Sequence, residues 1–198
     1  MADAFDYEAF SAQQQQRARA VLAESRLVSL WEAAGAEVRI VGSLRMGLLM
    51  KHRDIDLHIY TDGVDAASSF AVMAQLAEHP SAGKITCLNL LREADACIQW
   101  QVEWRDAAGE VWVIDLIHMA HGSPWDGYFE RMADRIRDVA TPDQRQTMLR
   151  LKYETPETEH VPGIAYYMAV LRDGIRTWDD FAAWRAAHPL EGIIAWMP

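Results

Sequence analysis

The chain has 198 residues, a net charge of −10, 51% apolar residues and 24% charged ones. That balance fits one globular fold large enough to bury a core without disulfide staples. The acidic excess disfavours nucleic acid as the main partner, because phosphate neutralisation supplies most of such a protein's affinity, and suits a neutral or cationic small acceptor or a basic protein instead.

Cys87 and Cys97 are the only cysteines and show neither Cys-x-x-Cys nor Cys/His zinc spacing. Reduced thiols and a cytoplasmic location follow as expectations. Met1 to Phe10 is acidic and broken by polar residues, unlike a signal peptide. No stretch approaches the ~18 apolar residues of a membrane span.

Asp6 to Ala34 reads as one long helix or two, rich in Ala, Gln, Arg, Leu and Glu, with Gly35 as the stop. Glu37 to Val41 reads as a first strand ending at Gly42, and Ser43 to Arg53 as a connector or short helix. Asp54 to Thr61 is predicted as a strand. Ile55, Leu57 and Ile59 point to one face, while Asp54, Asp56, His58 and Tyr60 point to the other. Val64 to Glu78 is an amphipathic helix.

Strands are predicted near Lys84–Leu91, Cys97–Arg105 and Glu110–Met119. The second alternates apolar residues with Gln99, Gln101 and Glu103, so one face should be wet. The third, Val111 to Ile117, is apolar except for Asp115 and reads as a central strand covered on both faces. Beyond Trp125 the pattern is helical: Asp126–Val139; a helix opened by Thr141 as N-cap with Pro142 at its first position; Ile164–Arg172; and Trp178–Ala187 capped by Thr177.

The carboxylates carry the chemistry. Asp54 and Asp56, two apart on a strand, leave the same face, and two such charges repel unless a cation joins them. Oxygen-only ligation with few protein ligands suits Mg²⁺ completed by phosphate oxygens. Asp115, interrupting an apolar strand, needs a partner of its own, and a shared metal supplies one. Gly42 lets the backbone approach a phosphate, Ser43 adds a hydroxyl, and Arg45, Lys51 and Arg53 lie near enough in sequence to neutralise a triphosphate. A two-cation site for displacement at phosphorus results.

Gly42-Ser43, residues 44–53 as a gap containing Gly47, and then Asp54-Ile55-Asp56 resemble the signature of the DNA-polymerase-β-like nucleotidyltransferase superfamily, most closely its minimal bacterial branch. The resemblance covers about residues 35 to 118. It implies an α+β fold, with a mixed sheet flanked by helices at residues 1–122 and a C-terminal helical extension at 123–198. It also implies catalytic and metal-binding roles for Asp54, Asp56 and Asp115. Gly42 and Ser43 would contact the nucleotide, with Arg45, Lys51 and Arg53 as further phosphate contacts.

The activity implied is transfer of a nucleoside monophosphate, AMP first, from ATP or another triphosphate with two Mg²⁺ or Mn²⁺ ions to a hydroxyl of a small acceptor such as an antibiotic. Protein adenylylation of the antitoxin type and a non-catalytic nucleotide-binding role are the alternatives. The gap follows the family pattern only in part, and the C-terminal helices match no acceptor-binding domain. Lys152 and Tyr153 are secondary candidates for nucleotide contact. His58 either meets substrate or bonds Asp56. His118 and His121 are expected in a loop at the site mouth. Trp178, Phe181 and Trp184 form a stripe for core packing, with base stacking by one of them or by Trp125 as the secondary reading.

Overall fold

The computed structural model describes residues 5–198; residues 1–4, the start of the acidic N-terminal stretch, lie outside it. Helix α1, Tyr7–Ser25, opens on Asp6, whose carboxylate accepts from the Ala9 amide at 2.9 Å. It ends at Arg26, which takes a left-handed φ of 53°, and α2, Leu27–Ala33, follows. Of the two readings of this stretch, one long helix or two, the structure has two.

Five strands form one sheet: β1 Glu37–Ile40, β2 Asp54–Thr61, β3 Ala82–Asn89, β4 Ile98–Arg105 and β5 Val111–Ala120, in the order β1-β2-β5-β4-β3. Among the described residues only the β2–β5 pair is parallel. Between β1 and β2 lies the short helix α3, Gly42–Met46; α4, Ala66–Ala77, links β2 to β3. Among the described residues no helix is long and apolar enough to cross a membrane.

The two faces of the sheet differ. Ile55, Leu57 and Ile59 of β2 and Trp112, Ile114 and Leu116 of β5 face α1, α2 and α4, and this core is fully closed. Buried Ser69 of α4 is satisfied there by the Trp100 indole N–H at 2.9 Å. On β4, Gln101 and Glu103 are exposed, giving the expected wet face. On β5 the expectation of full cover fails. Val113, Asp115 and Ile117 are only partly buried, because no helix seals that half of the strand and a cavity opens over it.

The C-terminal helices are α5 Tyr128–Val139, α6 Pro142–Glu154, α7 Gly163–Tyr167 and α8 Trp178–Ala187. Thr141 and Gln144 form a reciprocal capping box at α6. After α7 the helix widens into one π turn, Met168–Arg172, closed by the Asp173 amide on the Met168 carbonyl at 3.2 Å. Phe181 and Trp184 are buried as expected, in a second core that also takes Met46, Leu48 and Met50 from the segment after Gly42. That segment is thus shared between sheet and helices.

Replacing Ile114, fully buried in the closed face, with alanine should cost about 2–5 kcal/mol. The test is a lower urea midpoint with an unchanged slope; a midpoint within error of wild type would mean that this face is not tightly packed.

Candidate active site

A cavity of about 370 Å³ lies against the open end of the β2–β5 pair. Strand alternation sends Asp54 and Asp56 to the same face of β2, and parallel register sets Asp56 opposite Asp115 of β5. All three line the cavity together with Gly42 and Ser43, so the sequence-distant Asp115 joins the other two.

Gly42 explains how Asp56 fits. Its φ is +61°, and a Cβ built there would lie 1.8 Å from Asp56 Oδ2. The carboxylate therefore rests against bare backbone, which only glycine permits. Burial, then the charges of Asp115 and Asp54, push the Asp56 carboxyl up to about 6, while Lys152 and His58 pull it down. Burial and Asp54 also raise Asp115, whose Oδ1 accepts from Gln101 Nε2 at 3.0 Å.

The donor set suits a hard divalent cation: three carboxylates on one face, two of them held toward the protonated form by burial and mutual repulsion. Among the described residues, however, no three His, Cys, Asp or Glu side chains are drawn together closely enough to hold an ion as they stand. Like charges spread apart, so the fit is one of chemistry and shared face rather than of a closed cage.

The basic residues divide differently from expectation. Arg45 makes a two-point pair with Asp134 of α5, at 2.9 and 2.7 Å, and donates to the Ile40 carbonyl at 3.1 Å. Lys51 donates to the Thr155 carbonyl at 2.8 Å and lies over the Tyr153 ring. Arg53 pairs with Glu110. None of the three lines the cavity.

The cation at the Gly-Ser turn is Lys152 of α6. Buried, it donates from Nζ to Ser43 Oγ at 2.7 Å and to the Tyr167 hydroxyl at 3.5 Å, with Ser43 Oγ and the Tyr167 hydroxyl 3.2 Å apart. A small adjoining pocket contains Ser43, Lys152, His52, Asp54 and His160. Sequence spacing alone could not favour Lys152 over nearer Lys51. Its selection comes from the fold, which buries it beside Leu149, Leu151 and the Tyr166–Tyr167 pair.

The histidines also sort by strand parity. His58 lines the cavity, but its Nδ1 meets Glu130 Oε1 and the Tyr60 hydroxyl, each at 3.2 Å, rather than Asp56. His118 is not in a mouth loop. It lies within β5 on the opposite face, bonded through Nε2 to Thr61 Oγ1 at 2.9 Å and packed on Trp31, and burial lowers its pKa to about 4. His121, just past the strand, stacks on Tyr60. Trp125 packs on Tyr128 and Phe129 beside a smaller cavity. Gln101, Glu130 and Tyr167 had no sequence motif to mark them.

No protein-family model matches the chain, and no curated protein resembles it in sequence. Among solved structures, GLD-2 in its complex with RNP-8 is similar with a TM-score of 0.57 at 10% identity, over 81% of this chain and 54% of that one. GLD-2 with GLD-3 aligns at a TM-score of 0.49 and 11% identity over 82% and 57% of the two chains. The Cid1 poly(U) polymerase with MgGTP aligns at 0.48 and 15% over 80% and 50%. The chain spans about half the length of these solved chains. Its five-stranded mixed sheet flanked by helices is the fold it shares with GLD-2, and it is the fold class expected from the sequence.

Gly42→Ala should force Asp56 out of place, lose on the order of 1–2 kcal/mol of stability through the positive φ, and remove the thermal shift given by MgATP. A wild-type shift in that variant would dissociate Gly42 from carboxylate placement. A second expectation concerns pH. Asp56 titrates near 6 in the fold against 3.8 for an unperturbed aspartate, so without metal its contribution to stability falls as pH rises through that interval. A cation favours the ionised form. The Mg²⁺-induced rise in Tm should therefore be larger at pH 7 than at pH 5, and Asp56→Asn should flatten the difference; equal rises in wild type would contradict it.

Proposed function

We propose that the chain is a nucleotidyltransferase that moves a nucleoside monophosphate, AMP first, from a Mg²⁺-bound triphosphate to a hydroxyl of a small acceptor, releasing pyrophosphate. One observation carries this reading. Asp54, Asp56 and Asp115 share a face of adjacent parallel strands, next to a Gly42-Ser43 turn that has a buried lysine on its hydroxyl.

The chain's own groups divide the work. Lys152 and Ser43 hold the triphosphate, the lysine acting as a fixed positive charge with no carboxylate bonded to it. Gly42 and Ser43 open α3, where the first amides of a helix have no intrahelical acceptor and are available to phosphate oxygens. Asp54, Asp56 and Asp115 would hold Mg²⁺, which when bound neutralises the triphosphate and the departing pyrophosphate.

The acceptor oxygen attacks the α-phosphorus, and the bond from that phosphorus to the bridging oxygen breaks. The acceptor proton passes to Asp115 Oδ2, since Oδ1 is occupied by Gln101. Burial that raises the Asp115 carboxyl also raises its affinity for that proton. A reducing, cytoplasmic setting is in keeping with Cys87 and Cys97 both being free thiols.

With MgATP and a competent acceptor, pyrophosphate release should be abolished by Asp54→Asn and by Asp56→Asn. Lys152→Met should raise the KM for MgATP about tenfold or more, roughly 1.4 kcal/mol of binding. Turnover equal to wild type in both aspartate variants would sink the proposal.

A further inference from the structure

The carboxylates occupy one end of the main cavity, and the other end is built of different material. Its floor is Ile117 of β5 with Phe129 and Met132 of α5, and Pro162 and Ile164 stand opposite. From there the space continues in two directions. A cavity of about 260 Å³ shares Phe129, Met132, Pro162 and Ile164 and is walled by the segment Leu190–Ile194 beyond α8. One of about 120 Å³ shares His58, Ile117 and Phe129. Phe129 stands where all three meet, and Ile193 lines both smaller ones.

Among the described residues, no lysine or arginine lines any of the three. Lys152, the cation of the site, lies on the far side of Ser43, in the pocket assigned above to phosphates. The polar group at the junction is His58. With Nδ1 taken by Glu130 and Tyr60, Nε2 is the ring nitrogen left for the cavity. Burial works against the ionised form of Glu130, and its hydrogen bonds to His58 and Tyr60 outweigh that cost. His58 Nδ1 is thereby committed to the carboxylate, away from the cavity.

Ile193 is 46% exposed, one of few large apolar side chains left open. It stands at the mouth of an apolar trough, in a segment turned by Gly192 at a φ of +67°.

Resting on the transferase reading above, we infer that this trough is the acceptor subsite, and that it takes a small uncharged molecule with an apolar body, its hydroxyl lying between His58 and Asp115. A polynucleotide would bring a row of phosphates to a surface with three aspartates and no cation, where nothing could neutralise them. A polycationic sugar could pair an ammonium group with Asp95 in the smaller arm, but those entering the larger arm would lie against Phe129, Met132, Ile164 and Ile193, desolvated and unpaired. An aromatic or aliphatic body covers Ile193 and fills space of the size that small ligands occupy.

The test uses the full chain and 2-phenylethanol as probe, read by saturation-transfer NMR. Transfer to the phenyl protons is expected in wild type, with a loss of about fivefold or more in Ile193→Asp, which sets a charge in the trough. Phe70→Asp, an exposed position on α4 across the sheet, should leave the signal intact. No transfer in wild type, or equal transfer in Ile193→Asp, overturns the inference. So does pyrophosphate release from MgATP driven by a short oligoadenylate RNA or by kanamycin but not by 2-phenylethanol; that result leaves the transferase reading standing. Failure of MgATP to shift the Tm of wild type sinks the transferase reading instead, and the NMR comparison still decides what the trough binds.

Discussion

Three carboxylates held on one face of a parallel strand pair repel one another, and the architecture is arranged so that they stay there. Among the described residues β2 and β5 are the one parallel pair in the sheet, and their register sets Asp56 against Asp115. Such a face cannot be sealed by a helix without stranding charge in a low-dielectric interior. The opposite face is sealed instead. Ile55, Leu57, Ile59, Ile114 and Leu116 are buried to within 1% of completely against α1, α2 and α4. The strand pair is anchored from one side so that its other side can remain open and unfavourably charged.

The same constraint shapes the segment between β1 and β2. Gly42 must lack a side chain for Asp56 to fit, so this turn and the carboxylate are one unit. What keeps the turn in place comes from the C-terminal helices. Arg45 reaches Asp134 of α5, and Arg145 of α6 donates to the Gly47 carbonyl at 2.7 Å while pairing with Glu8 of α1. Met46, Leu48 and Met50 enter the helical core. Two of the basic residues here, Arg45 and Arg145, clamp the turn, and a third, Lys152, is left to face its hydroxyl.

Most of the fold and the acidic half of the site were legible from residue order alone. Strand parity is a local property, so Asp54 and Asp56 could be assigned to one face, and Asp115 stood out against its apolar run. The caps at Thr141 and Thr177 are equally local and appear as read. Cation placement was not legible. Arg45, Lys51 and Arg53 are near the motif in sequence, yet each found a carboxylate or carbonyl elsewhere, and such competition depends on tertiary neighbours. Lys152 comes from a helix whose docking no local pattern encodes. The reading of β5 as covered on both faces failed for a related reason: an apolar run records what a strand can bury, and Asp115 and Ile117 face a cavity instead, with Val113 only partly buried. His118 fell inside the predicted strand, Glu110–Met119, and was misplaced because strand parity was not carried to its last residues: it pairs with Ile59 and so points to the closed face.

The two halves of the cavity are built from different parts of the chain, and that separation bears on how such a site can change. The carboxylates, Gly42 and Ser43 are fixed by sheet register and a backbone contact, so a substitution there disturbs several groups together. Phe129, Met132, Ile164 and Ile193 belong to helix surfaces and to the segment beyond α8, where side-chain volume can change without moving a strand. Lys152 is the exception, a helical residue committed to the turn by burial and by its bonds to Ser43 and Tyr167. On the proposed reading, substitutions that reshape the trough while sparing α6 would change which acceptor fits without disturbing the Lys152–Ser43 contact. The joint between the halves is Tyr167, which lines the cavity with Ile164 on α7 and bonds the Lys152–Ser43 pair. Ile164 and Tyr167 share this one short helix, so the apolar wall of the cavity and the partner of the Lys152–Ser43 pair are set by a single element.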